Sequence, residues 1–127
     1  KKLKIEYNTT ITKTNIKNKL PKSIKIGYVD YDFEIWPDKF ASTEKAQGEF
    51  FEEDDKIGLK GSAIYTNKGV NTVLHEILHA IVYQYGMAED LKDIEEKVVN
   101  TTANALSAVF NDNPWLVDYI KTYSKVK

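Results

Sequence analysis

The sequence contains no cysteine and no arginine among its 127 residues. The absence of cysteine excludes disulfide bonds and thiolate metal sites, so any metal ion must be held by nitrogen and oxygen ligands. All 18 cationic side chains are lysines, and the formal net charge is -1. Because arginine is the side chain best suited to bidentate readout of bases and phosphates, we expect no nucleic-acid partner.

Long apolar runs are absent as well. No segment reaches the roughly 18 to 20 apolar residues that a membrane-spanning helix needs, and no basic and then apolar signal peptide opens the chain. We therefore expect a cytoplasmic protein without membrane contact, although a sequence that starts at Lys1 leaves a removed leader open. The length, with 42% hydrophobic residues, predicts a single domain covering residues 1–127.

The first half of the chain has the two-residue periodicity of strands. Apolar and polar residues alternate from Ser23 to Trp36 with a change of phase near Gly27, which predicts one bulged strand or two short ones. Segments 49–51 and 56–59 flank the acidic run 52–55 and predict a hairpin. Residues 1–22 are interpreted as a strand or a peripheral arm, and residues 38–47 as a short helix or a loop.

Helical periodicity replaces strand periodicity in the second half. Apolar residues recur at helical spacing from Val70 to Tyr85, Asn67 or Asn71 can cap the start of this helix, and Gly86 can close its end. This pattern predicts a first long helix of about four turns.

Two further helices are predicted, from about Asp93 to Phe110 and from Pro114 through Tyr123. The predicted fold class is therefore α+β, with a small, mostly antiparallel N-terminal sheet packed on about three C-terminal helices.

His75 and His79 are the only histidines, and they lie four residues apart on the first long helix with Glu76 between them. Helical geometry puts both imidazoles on one strip at the border of the buried face, where they can reach one ion. Neutral imidazole is a preferred zinc ligand, and Glu76 is too close to His75 to bind the same ion but can reach a bound water. The H-E-x-x-H pattern therefore predicts Zn²⁺ ligands at His75 and His79 and a general base at Glu76. The alternative is a polar helix face without a metal.

A third ligand must be a carboxylate, because the chain has no other histidine. Glu95 and Glu96, at the start of the second helix, are the candidates. The apolar spacing places Glu95 in the inner stripe of that helix, and Asp93 with Glu96 fits an N-cap and N3 capping box. We therefore favour Glu95 as the third metal ligand, with Glu96 as the runner-up.

These residues resemble the gluzincin zinc metallopeptidases, in which two histidines of HExxH and a downstream glutamate hold the metal. The segments 48–50, 56–59, 73–80, 95–99 and 112–114 are similar to compact metallopeptidases encoded by phages and mobile elements. Those proteins are in turn similar to the ImmA-type endopeptidases, which cut repressors. The resemblance covers about Ser23 to Ile120, and HEILH is its diagnostic motif. It implies a minimal zincin-like fold and a phage-encoded protease.

The expected activity is hydrolysis of a peptide bond in a protein or peptide substrate, with Glu76 handling the proton. The segment Lys56–Lys60 is a candidate for pairing with an extended substrate. Four tyrosines are candidate donors to the transition state: Tyr83, Tyr85, Tyr119 and Tyr123. The alternative function is a zinc-stabilised binding or structural module without turnover, and the sequence does not indicate the oligomeric state.

Overall fold

The computed structural model describes residues 19–37 and 47–124. Within these residues an N-terminal sheet precedes a helical C-terminal half. The strands are β1 (Ser23–Ile26), β2 (Val29–Trp36), β3 (Gly48–Phe51) and β4 (Lys56–Lys60), and the helices are α1 (Asn67–Gln84), α2 (Glu95–Asp112) and α3 (Trp115–Tyr123). The predicted α+β class is confirmed. The interpretations of residues 1–18 and 38–46 lie outside the described residues.

The sheet has the strand order β1-β2-β4-β3. The pairs β1–β2 and β3–β4 are antiparallel, whereas β2 and β4 run parallel, so the sheet is mixed but mostly antiparallel as predicted. β4 is paired on both sides. The described edge strands are therefore β1 and β3.

Each hairpin turns where the sequence changes character. Gly27 and Tyr28 connect Ile26 to Val29, and Gly27 has a φ of 63°, which fits the first position of a two-residue type II′ turn. The acidic run between β3 and β4 forms the second turn, in which Asp55 has a φ of 53°. The phase change at Gly27 therefore marks two strands rather than one bulged strand.

The core lies between the sheet and α1. Tyr31, Ile57 and Leu59 have no exposed surface, and Ala80 of α1 belongs to the same buried cluster. Burial of each large side chain stabilises the fold by roughly 1.5–3 kcal/mol. The Gln84 side-chain amide donates a 2.7 Å hydrogen bond to the Tyr31 hydroxyl, so this polar group also has a partner. These contacts fix α1 against the sheet.

Both ends of α1 are capped. Thr66 is the N-cap, and its hydroxyl accepts a 3.0 Å hydrogen bond from the Gly69 amide, so the predicted caps at Asn67 or Asn71 are wrong. At the other end Met87 N–H donates to Val82 O and Gly86 N–H to Tyr83 O, with Gly86 at a φ of 75°. This is a Schellman motif, and it confirms Gly86 as the terminator.

α2 returns antiparallel to α1. The Asn71 amide donates to Asn104 near one end of the pair, and His79 meets the start of α2 near the other. α2 begins at Glu95 rather than at Asp93, and Ile94 is its N-cap without a side-chain hydrogen bond. The predicted Asp93–Glu96 capping box is therefore wrong. Glu96 is not engaged in capping.

α3 follows Pro114 and extends to Tyr123, as predicted. It has no buried residue and carries a ladder of ring contacts from Trp115 through Tyr119 to Tyr123. Among the described residues, no helix combines the length and apolar character required to cross a membrane.

Candidate metal centre

α1 presents a polar stripe to the space between β3 and α2. Its members recur at helical spacing and line the clefts there: Lys68, Asn71, Thr72, His75, Glu76 and His79. The opposite side of α1 packs on the sheet through Val73, Ile77 and Ala80. Because the core fixes one side of the helix, the polar stripe has a fixed direction.

The two histidines converge with Glu96 at the C-terminal end of this stripe. His75 Nε2 lies 3.1 Å from Glu96 Oε2, and His79 Nε2 lies 3.0 Å from Glu96 Oε1. One ligand atom from each of these three residues lies within 4.8 Å of the others. Glu96, on the first turn of α2, is therefore the carboxylate that meets both Nε2 atoms.

Glu95 has a different position. Its Oε2 lies 2.7 Å from His79 Nδ1, on the opposite side of the ring from Glu96. A carboxylate that accepts from one ring nitrogen fixes the tautomer and the direction of the other, as in carboxylate–histidine–zinc arrangements. The ligand assignment remains a prediction, but the geometry favours the runner-up Glu96 as ligand and Glu95 as the residue that orients His79.

The donor set fits a divalent cation. If the Nδ1–H of neutral His79 donates to Glu95, its Nε2 has a lone pair that faces the Glu96 carboxylate at 3.0 Å. Such facing lone pairs repel each other unless a proton or a metal ion lies between them. Donor atoms on tetrahedral zinc lie about 3.3 Å apart, given metal–ligand distances of about 2.0–2.2 Å, which is close to the observed spacing.

The protonation of His75 also favours coordination. Burial lowers the pKa of His75 and outweighs the opposing effect of the neighbouring Glu96 carboxylate, while His79 lowers it further. A lower pKa keeps the imidazole neutral near pH 7. Neutral imidazole is the form that binds metal.

The two glutamates of α2 give a prediction about metal affinity. Loss of a residue that orients a ligand weakens metal binding about 10- to 100-fold, so we expect that range for Glu95→Gln and a larger loss for Glu96→Gln. Competition against a chromophoric chelator measures both affinities. A larger loss for Glu95→Gln than for Glu96→Gln would reverse the two roles.

Glu76 is the one buried acidic residue among the described part of the chain, with 7% of its surface exposed. Burial raises its pKa to about 7, the negative charges of Glu96 and Glu49 add to the rise, and His79 opposes it. A Cβ on Gly48 would lie 3.1 Å from Glu76 Cγ, so the absence of a side chain there gives Glu76 its room. A carboxyl with this pKa can exchange a proton near neutral pH.

The buried carboxyl predicts a pH-dependent stability for the metal-free protein. The folded state holds the Glu76 proton more tightly than the unfolded state, so the contribution of Glu76 to stability falls as the pH rises from about 4.5 to about 7. Glu76→Gln removes that dependence. We expect the variant to gain on the order of 2 kcal/mol relative to wild type between pH 5 and pH 8.

Urea unfolding with a chelator present measures this difference at both pH values. Glu89→Gln, which changes an exposed glutamate in the connection between α1 and α2, is the matched control. A difference between Glu76→Gln and wild type that is the same at both pH values would contradict the burial of a titrating carboxyl.

The candidate centre lies in a cleft with two lobes. One lobe of about 320 Å³ is lined by His75, Glu76, His79 and Glu96 together with Gly48, Glu49 and Phe50 of β3. The other lobe of about 300 Å³ shares Gly48, His75 and Glu76 and extends along the polar stripe toward Lys68. Glu76 is thus at the junction of the two lobes.

β3 forms one wall of the cleft, and its outer edge has no strand partner among the described residues. The sequence-based choice of Lys56–Lys60 for pairing with a substrate is wrong, because this segment is β4 and is already paired with β2 and β3. Order along the chain does not reveal which strand lies at the edge.

Several cleft residues were missed by the sequence-based reasoning. Lys68, Asn71 and Thr72 lie on the same stripe as the histidines, so extending the helical wheel beyond His75 toward the N-terminus would have found them. The helical wheel of α1 gives no signal for Gly48 and Asn100, because neither residue lies on α1. Conversely, none of Tyr83, Tyr85, Tyr119 and Tyr123 lines either lobe.

Comparisons of the chain with protein-family models, with curated proteins and with solved structures found no match. Inference about function therefore depends on the residues and their geometry. These comprise two imidazoles, a carboxylate between them, a second carboxylate behind one imidazole, and a buried glutamate beside a strand whose outer edge has no partner within 19–37 and 47–124.

Proposed function

We propose that the chain is a zinc-dependent metallopeptidase that hydrolyses peptide bonds in the cytoplasm and is encoded by a phage or a mobile element. The observation that carries the catalytic part is the convergence of His75, His79 and Glu96 beside the buried carboxyl of Glu76 in an open cleft. The phage origin and the cytoplasmic location rest on the sequence resemblance and on composition. A module that only binds a peptide does not require a buried acid that exchanges a proton at this position.

Zinc is the proposed metal because the H-E-x-x-H pattern on one helix is typical of zinc sites. Two imidazole nitrogens and one carboxylate oxygen are a known catalytic ligand set for Zn²⁺, and a site with three protein ligands keeps a position open. When bound, the ion supplies a Lewis acid that lowers the pKa of water to about 7 and polarises a carbonyl. His75, His79 and Glu96 would hold it, and Glu95 would orient His79.

Glu76 would act as the general base and then as the general acid. Without metal its pKa is about 7, so the carboxyl exchanges a proton near neutral pH. The carboxylate would accept a proton from the attacking water and donate it to the nitrogen of the leaving amine. Burial is the main cause of the raised pKa.

The substrate would bind as an extended segment along β3. An edge strand offers unpaired N–H and C=O groups, which pair with a peptide by strand addition. Because β3 lines the lobe that contains the histidines, a paired peptide passes directly over the candidate centre. Glu49 is the exposed β3 side chain in this lobe, whereas the Phe50 ring packs against the core.

The test is cleavage of a diverse peptide mixture by the zinc-loaded protein, with new termini identified by mass spectrometry. Cleavage is expected to disappear with a chelator and to return on addition of zinc. A protein that binds one equivalent of zinc and produces no new termini in any mixture would overturn the proposed activity.

One observation favours the alternative, a zinc-stabilised binding module. Peptidases need a donor to the developing oxyanion, and none of the four candidate tyrosines lines the cleft. A module of this kind would bind zinc and a peptide without turnover. The same mixture experiment distinguishes the two, because a module retains peptides without cutting them.

A further inference from the structure

The cleft is chemically asymmetric along its length. One lobe, here called the acidic lobe, is lined by Glu49 and Glu96. The other lobe, here called the amide pocket, is lined beyond the shared residues by three amides, a hydroxyl and an amine: Gln47, Asn71, Asn100, Thr72 and Lys68. Among the described residues that line either lobe, Lys68 is the one lysine.

The amide pocket offers fixed hydrogen-bonding groups for a polar side chain. Asn71 is held by its hydrogen bond to Asn104 of α2, and the Thr72 hydroxyl donates a 3.1 Å hydrogen bond to Lys68 O. Among the described residues, Glu76 at the junction is the one carboxylate that lines this pocket. Lys68 supplies a positive charge, and the side-chain amides supply N–H donors, including the second N–H of Asn71, so these groups suit an anionic partner.

Strand pairing sets which substrate residue meets this pocket. The amide pocket lies beside Gln47 and Gly48, and the acidic lobe lies beside Glu49 and Phe50. β3 therefore runs from the amide pocket to the acidic lobe. We take the peptide to pair antiparallel to β3, because parallel pairing is slightly less stable per residue. The peptide then runs in the opposite direction to β3, and the residues that follow the bond cleaved beside Glu76 lie at the amide pocket.

On the basis of the proposed peptidase function, we propose that the amide pocket selects substrates with an acidic side chain just after the cleaved bond, and that Lys68 determines this specificity. An acidic side chain on the other side of the bond would meet Glu49 and Glu96. Like charges there would disfavour the reversed placement.

The test uses zinc-loaded protein and blocked peptides that differ only in glutamate, glutamine or lysine at the position after the bond. In wild type we expect glutamate to be preferred over lysine in kcat/KM, and Lys68→Glu to change that ratio on the order of tenfold toward lysine. High salt should reduce the preference. Lys121→Glu, on α3 and outside the cleft lining, is the charge-matched control and should leave the ratio unchanged.

Lys68→Glu is compatible with folding, because Lys68 is exposed in the first turn of α1, where a negative charge interacts favourably with the helix dipole. A second readout is the affinity of the same peptides for zinc-loaded Glu76→Gln protein, with and without Lys68→Glu, measured by fluorescence anisotropy.

The outcomes separate the pocket from the peptidase activity. Cleavage without a glutamate preference, or a preference that Lys68→Glu and Lys121→Glu change equally, would overturn the role of Lys68 and leave the activity standing. Lys68-dependent binding without any cleavage would support the pocket and overturn the activity. If the protein neither cleaves these peptides nor binds them measurably, the proposed selection of acidic substrates is overturned.

Discussion

Glu76→Gln is expected to lower kcat/KM for peptide cleavage by about 10²–10⁴-fold while zinc still binds one to one, since that is the range that general acid–base catalysis contributes. Glutamine has almost the same shape as glutamate but cannot accept a proton from water. His75, His79 and Glu96 are unchanged in the variant, so the proposed metal ligands remain. Steady-state cleavage and elemental analysis of the same preparation measure the two quantities.

Glu89→Gln is the control for this substitution, because Glu89 is 88% exposed and does not line the cleft. It should keep wild-type kcat/KM. Full activity in Glu76→Gln would contradict the general-base role. Loss of both zinc binding and activity would show instead that Glu76 supports the structure of the proposed metal site.

His79→Ala is expected to weaken zinc binding more than about 100-fold, because loss of a residue that only orients a ligand already costs about 10- to 100-fold. His79 interacts with both glutamates of α2, at Nδ1 with Glu95 and at Nε2 with Glu96. Its removal therefore deletes a proposed ligand and the partner of Glu95, while Glu96 keeps its contact with His75. Zinc should raise the Tm of wild type and leave that of the variant almost unchanged.

Thermal unfolding with and without zinc gives the comparison for His79→Ala, and the metal-free Tm of each protein serves as its own reference. An equal rise in Tm on zinc addition for wild type and variant would contradict a metal site at His79. The zinc concentration must be many times the Kd of the wild-type protein, because the stabilisation grows with the ratio of free zinc to Kd.

The helices and hairpins were predictable because their signals are local. Apolar spacing gave α1 and α3, and Gly86 marked the end of α1 because a Schellman motif needs a residue with positive φ. Gly27 marked a change of phase, but the sequence left one bulged strand or two short strands open, and the structure shows two strands joined at Gly27. Such signals depend on residues within a few positions of each other.

The sheet order was not predictable, because strand pairing is set by contacts distant in sequence. β4 pairs with β2 in parallel and with β3 in an antiparallel hairpin, which leaves β3 at the edge. A pattern of alternating residues shows that a strand exists but not which neighbours it has.

The candidate site was predictable in one part and ambiguous in another. HEILH brings three residues together on one helix, and the polar stripe of α1 includes all of them. The proposed third ligand was ambiguous because two adjacent glutamates begin α2. Both lie in its first turn, and they contact His79 from two sides.

Anomalous scattering from crystals of zinc-loaded protein, recorded on both sides of the zinc edge, tests the proposed metal centre most directly. The expected result is one zinc ion per chain, bonded to Nε2 of His75, Nε2 of His79 and the carboxylate of Glu96, with Glu95 on Nδ1 of His79. A map with no peak between the two histidines, in which Glu96 points into solvent, would contradict the proposal.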